Sequence, residues 1–289
     1  MLNRRQLNEF KRNGILRMMG AVPAADIEAM DGRVWENLER RYSFRREQPE
    51  TWTGQRVNGF NALDESVTFD EIGNLTVCGM IDDLLGSGNW QRPVRWGSLL
   101  IAFPESSGQW DVPHASWHLD LPASDSLEGL FVLRLFTCLE PLRRGGGATV
   151  AIAGSHLLVE DLARKKTKQR LRSADVRSTL IRAYPWMEAL CSRSETADRI
   201  RRFMDIRTAV GGAELRVVEM TGEPGDVFLV HPLIVHAPST NCADVPRIVL
   251  SSFVYRNGVE AEAPHQTWMG AAVYSRKRAD CLDDTPVIS

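Results

Sequence analysis

Long apolar runs are missing from this sequence. No stretch of about eighteen apolar residues occurs, so no membrane-spanning helix is predicted. The opening MLNRRQLNEFKRNG has no apolar core of the secretory-signal type, which predicts a cytoplasmic chain. Cysteine is sparse. Cys78, Cys138, Cys191, Cys242 and Cys281 are scattered, odd in number and never spaced as CxxC. That argues against a disulfide framework and a zinc-thiolate site, and fits a reducing compartment. An excess of either charge is also lacking, with 35 Lys and Arg against 37 Asp and Glu. A net charge of −2 gives no global field toward nucleic acid or an acidic membrane. A phosphate-cradling loop is absent too, because Gly145–Gly147 is not followed by a helix opening with Lys-Ser or Lys-Thr. That glycine run predicts a tight strand connection, as do the turns at Gly154 and Gly225.

What is present is a chain of 289 residues, 43% hydrophobic, long enough to bury a large core. Residues 1–92 read as mainly helical. Leu7, Phe10, Leu16 and Met19 recur at helical spacing around a break at Gly14, and Ile27, Met30, Val34 and Leu38 continue the pattern. Residues 46–75 are polar and predict a loop, followed by a short helix near 76–86. From 93 to 256 the period becomes that of strands. Segments 94–103, 130–139, 149–153, 215–220, 226–230, 234–236 and 248–255 are predicted to be β. Residues 157–208 interrupt them with two or three predicted helices. That insertion carries thirteen Lys and Arg against seven Asp and Glu, a local basic excess. The tail 257–289 is uninformative, with Trp268 and Met269 as candidate packing residues. Short strands with few strand–helix–strand units favour a sandwich or barrel over a parallel sheet. The reading is one domain, mainly β with flanking helices, of the jelly-roll or double-stranded β-helix type.

Only six histidines occur, so each can be weighed. His118 and Asp120 stand two apart in WHLD, and on extended backbone both side chains point the same way. One further histidine from a distant strand would complete a two-His, one-carboxylate set that holds a metal on one face. His236, in GDVFLVHPLIVHAPSTN, is the candidate partner. Eleven residues later Arg247 opens the apolar strand IVLSSF. A lone arginine there is costly to bury unless it grips a carboxylate in bidentate fashion. Arg134 shares a strand face with Val132, Phe136 and Cys138, and either points inward toward an anion or outward to solvent. His231 lies five residues before His236, which puts it on the opposite face. His114 is read as a loop residue near the site entrance, His156 as a turn organiser, and His265 is given no role. Trp117 is expected to pack, and Trp186 to cover the site or pack its own helices.

The order WHLD, GGGATVAIAGSH, GDVFLVHPLIVH and then Arg247 resembles the phytanoyl-CoA dioxygenase family of Fe(II)/2-oxoglutarate oxygenases, over roughly residues 95–255. The resemblance implies a double-stranded β-helix, with His118, Asp120 and His236 as iron ligands and catalytic centre. It also implies that Arg247 holds the distal carboxylate of 2-oxoglutarate, with Phe136, Arg134 and Ser239 as further cosubstrate-binding candidates. Phe136 stands where the family often has Trp, and Pro238 followed by Ser239 and Thr240 where it often has Ser two residues beyond the distal His. Related halogenases lack the carboxylate ligand, so Asp120 points to hydroxylation or another oxidation. The implied cofactors are Fe(II), 2-oxoglutarate and O2, with succinate and CO2 as co-products. The implied partner is a small organic substrate, with an anionic one favoured by the basic insertion, and neither nucleic acid nor membrane. The insertion is expected to form part of the substrate entrance, and the oligomeric state stays open. Two alternatives remain at this level. One is a metal-dependent hydrolase or isomerase of cupin type; the other is a silent binding protein on the same fold.

Overall fold

The computed structural model describes residues 1–52, 57, 67–105, 108–123, 129–166, 170–193 and 198–259. His265, Trp268, Met269 and Cys281 lie outside these residues, as does most of the tail. Two antiparallel sheets face each other. The larger is built from β1 (Ile15–Met18), β2 (Ser98–Ala102), β3 (Val132–Cys138), β7 (Val227–Val230) and β9 (Arg247–Tyr255), in the order β1-β7-β3-β9-β2. The smaller is built from β4 (Val150–Ala153), β5 (Thr208–Val210), β6 (Ala213–Glu219) and β8 (His236–Ala237), in the order β5-β6-β4-β8. This is the jelly roll expected from the sequence.

Alternation along β3 and β9 sorts the core into layers. Leu133, Leu135, Ile248, Leu250 and Val254 face outward, under α1 (Arg4–Asn13), α2 (Ala24–Tyr42) and α3 (Leu75–Leu85). Phe136, Cys138, Phe228, Val230 and Val249 face inward, and meet Ala151 and Ala153 of the smaller sheet and Met220 just beyond β6. The outer face of that smaller sheet is covered by the insertion helices α4 (Ser155–Lys165), α5 (Ser173–Ala183) and α6 (Pro185–Cys191). A single turn of π-helix, Arg201–Asp205, closes the insertion.

Residues 15–18 correct the sequence reading. The helical spacing continued through Leu16 and Met19, but the helix stops at Asn13. Gly14 takes φ +69°, and its N–H donates back to the Phe10 carbonyl at 2.7 Å. This is the left-handed helix stop that glycine adopts without a Cβ penalty. The chain then enters the large sheet as an edge strand, with Ile15 opposite Val230 and Met18 opposite Val227. The loop expected over 46–75 contains short 3-10 turns at Pro49–Thr51 and Val67–Gly73. The insertion helices begin two residues early, at Ser155, and β5 begins at Thr208. Gly154, at φ +86°, makes that early start possible, since a Cβ there would lie 2.5 Å from the Glu214 carbonyl oxygen. No described helix is long and apolar enough to cross a membrane.

Candidate metal centre

The WHLD segment is not a full strand. It docks on the smaller sheet through one bridge, in which His118 N–H donates to the His236 carbonyl at 2.8 Å and His236 N–H returns the bond at 3.0 Å. That bridge suffices to bring the two imidazoles together, with ring centroids 4.3 Å apart. Asp120 follows on the same side. Its Oδ1 lies 3.7 Å from His118 Nε2, and its Oδ2 lies 3.3 Å from His236 Nε2. Ligand atoms of His118, Asp120 and His236 all fall within 4.8 Å of one another, the one such group among the described residues.

The backbone fixes which ring nitrogens face the site. His118 Nδ1 lies 2.8 Å from the Ser116 carbonyl, and His236 Nδ1 lies 3.0 Å from the Ile234 carbonyl. A carbonyl only accepts, so each Nδ1 carries the proton and each Nε2 lone pair turns toward Asp120. Ser116 adopts φ +64°, a left-handed conformation unusual for serine, as it offers this carbonyl. Burial pushes His118 down to about 3, with His236 adding to the effect. Burial and then the Arg134 charge push His236 down to about 3 as well. Both rings therefore stay neutral, the form a metal requires. Two neutral imidazole nitrogens and a carboxylate, converging with their other sides occupied, suit a divalent iron ion.

The insertion supports the segment from outside. Leu119 N–H donates to Ser173 Oγ at 2.8 Å, and Arg177 reaches the Trp117 carbonyl at 3.4 Å, both from α5. Trp117 itself packs, with its indole N–H donating to Pro113 O. Trp186 also packs, edge-on against Phe203 at 5.2 Å.

Arg247 lies on the inner face, in the same alternation as Val249 and Ser251, and is only 7% exposed. Its Nε has no hydrogen-bond partner, and burial pulls its pKa down to about 10. A buried guanidinium with an orphaned donor is a seat for a carboxylate. Arg134 resolves the choice left open by the sequence, because it points inward. It forms an ion pair with Asp120 Oδ2, and its Nε donates to Ser251 Oγ at 3.1 Å. The Phe136 and Phe253 rings flank its guanidinium at 4.5 and 4.9 Å. Burial lowers its pKa to about 9. Ser239 is buried but spends its hydroxyl proton on the Ala148 carbonyl, at 2.7 Å. It therefore holds the turn before β4.

The remaining histidines stay apart from the triad. His231 and His156 stack at 4.8 Å on the far side of the sheet, beneath the α1–β1 corner. His156 Nε2–H donates to the Lys11 carbonyl at 3.1 Å, and His231 Nε2 lies 3.4 Å from Glu160 Oε1. This buried polar group was not visible in the sequence, where His156 and His231 are 75 positions apart. His114 sits in the loop before WHLD, with its pKa lowered by burial and then by Arg193 and Arg199.

Comparison with known proteins agrees with this architecture. The structure is similar to the epimerase SnoN in complex with Fe3+, alpha ketoglutarate and nogalamycin RO, at 15% identity over 87% of this chain and 82% of that one, with a TM-score of 0.49. It is similar to HygX from Streptomyces hygroscopicus with nickel and 2-oxoglutarate bound, at 13% identity over 89% and 88%, with a TM-score of 0.50. It is also similar to AviO1 from Streptomyces viridochromogenes Tue57, at 17% identity over 90% and 97%, with a TM-score of 0.51. The last two likenesses show a shared fold. No curated protein matches the sequence. The phytanoyl-CoA dioxygenase (PhyH) family model matches residues 10–249, which include His118, Asp120, His236, Arg247 and every strand but the last part of β9, and the chain belongs to that family.

Proposed function

We propose that this protein is an Fe(II)- and 2-oxoglutarate-dependent dioxygenase that hydroxylates a small organic substrate. The observation that carries the reading is the pairing of the triad with Arg247. Three ligand atoms converge at one end of the barrel interior, and an unpartnered, buried guanidinium sits on the same inner face. A metal-dependent hydrolase or isomerase would have no use for that arginine. HygX, with the same fold, was crystallised with nickel and 2-oxoglutarate, which supports the same cosubstrate here.

His118 and His236 would hold the metal through Nε2, and Asp120 through a carboxylate oxygen. Iron with 2-oxoglutarate supplies O2 activation, coupled to oxidative decarboxylation into succinate and CO2. Arg247 would grip the distal carboxylate, and its desolvation in the free protein makes that contact worth more than it would be in water. Phe136 and Val249 line the inner face between the arginine and the metal end, and exclude water from it. Radical oxidation needs no general base, and the Nε2 lone pairs of both imidazoles would be committed to the metal. The barrel and the helical insertion act as one domain, with α5 forming one wall of the substrate entrance through Ser173 and Arg177.

The test is turnover. Protein loaded with Fe(II) and supplied with 2-oxoglutarate and O2 is expected to release succinate slowly even without substrate, and His118→Ala to release none. Equal succinate from both would remove the triad from the reaction.

A further inference from the structure

Arg134 is one cation more than the chemistry proposed above requires. A site of this kind is neutral when Fe(II) and one arginine face one carboxylate ligand and the two carboxylates of 2-oxoglutarate. Here Arg134 and Arg247 both face the interior, with Asp120 as the one carboxylate of the triad. Among the described residues, loading the site with Fe(II) and 2-oxoglutarate thus leaves one positive charge unmatched. In the free protein Arg134 is satisfied by Asp120 and stands 3.4 Å from His236 Nε2, where the metal would approach. A metal that takes Asp120 also brings a second cation beside this guanidinium in a medium of low dielectric, where like charges repel strongly.

The seat of Arg134 does not depend on Asp120. Ser251 Oγ and the flanking rings of Phe136 and Phe253 hold the guanidinium from three other directions. Beyond it lies an apolar wall of Leu121, Phe131, Val132, Phe253 and Tyr255. The Tyr255 hydroxyl on this wall is buried without a hydrogen-bond partner, and it lies within electrostatic reach of Arg134. Arg134 and Tyr255 share the inner face with Arg247 but are displaced toward the other end of β9. A ligand there would lie toward the opposite end of β9 from Arg247.

We propose that Arg134, with the Tyr255 hydroxyl, binds a carboxylate of the substrate, and that the substrate is a monocarboxylic acid with an apolar body. This rests on the dioxygenase reading. A bidentate guanidinium supplies two N–H donors to one carboxylate, and the phenol adds a third. The apolar wall takes the remainder of the molecule.

The experiment uses anaerobic Fe(II)- and 2-oxoglutarate-loaded protein and a panel of straight-chain carboxylates from acetate to decanoate, with benzoate. The matching primary amides serve as controls. Binding is read by calorimetry and as a perturbation of the metal-to-2-oxoglutarate charge-transfer band. At least one carboxylate should bind roughly tenfold or more tightly than its amide. Arg134→Gln should remove that preference while keeping the charge-transfer band, and Tyr255→Phe should weaken carboxylate binding severalfold. If no carboxylate outbinds its amide, or the preference survives in Arg134→Gln, the proposal fails. If Arg134→Gln weakens 2-oxoglutarate and leaves the panel unchanged, the carboxylate held is the cosubstrate's, and the proposal fails in that way. Should Arg134→Gln not fold, an unchanged preference in Tyr255→Phe overturns the two-residue site. Absence of the band in the wild-type protein would instead overturn the dioxygenase reading itself.

Discussion

Replacing Arg247 by Met should stabilise the metal-free protein and abolish tight 2-oxoglutarate binding. The two effects share one cause. Arg247 is buried with an unpartnered Nε, and burial moves its pKa from 12.5 to about 10. A displacement of that size means the charged form is disfavoured by about 3 kcal/mol where it sits. Methionine fills a similar volume without the charge, so the gain on substitution should be about 1–3 kcal/mol, in line with buried ionic groups replaced by apolar ones. At about 2–4 °C per kcal/mol for a domain approaching this size, the melting temperature should rise by several degrees. In the loaded protein the same change removes the bidentate partner of a buried carboxylate, and 2-oxoglutarate should weaken by roughly 2–5 kcal/mol. Urea denaturation of the metal-free protein and calorimetric titration of 2-oxoglutarate into the Fe(II) form measure the two halves. A variant that is less stable and binds 2-oxoglutarate normally would show that Arg247 has a structural partner and no role toward the cosubstrate.

Other outcomes follow from the same contacts. Asp120→Ala strands the Arg134 charge, so it should destabilise the metal-free protein by roughly 3–5 kcal/mol, and adding Arg134→Met should restore most of that by denaturation. His156 is 3% exposed and pushed down to about 4, so it is neutral in the fold, while the unfolded chain protonates below about 6.5. Its contribution is therefore complete above pH 6.5 and lost as pH falls toward 4. Between pH 7 and pH 5 the metal-free protein should lose about 2 kcal/mol that His156→Gln does not lose, read as the difference between their urea midpoints. Gly14→Ala places a Cβ 2.6 Å from His156 Nδ1 at φ +69°, so it should cost roughly 2–4 kcal/mol from strain and overpacking, seen as a lowered melting temperature.

Much of the site was legible because it depends on local rules. A two-residue spacing on extended backbone aligns His118 with Asp120, and one bridge to His236 finishes the cluster. Alternation put Phe136 and Arg134 on one face of β3 without saying which way it looked, and His231 was correctly kept out of the cluster. The misses depend on distant partners. Ile15–Met18 becomes a strand only because Val227–Val230 comes to lie beside it, and four residues carry no period strong enough to announce that. Arg134 could have faced either way until the fold set it against Asp120. The His156–His231 stack forms where α4 meets the turn after β7, a contact no spacing encodes.

The central claim is that one site holds both iron and 2-oxoglutarate. The most direct measurement is the visible spectrum of metal-free protein as Fe(II) and then 2-oxoglutarate are added without oxygen. The account predicts a weak metal-to-ligand charge-transfer band that appears only with both present and is lost in His118→Ala. Iron binding with no band on adding 2-oxoglutarate, or a band unchanged in His118→Ala, would contradict it.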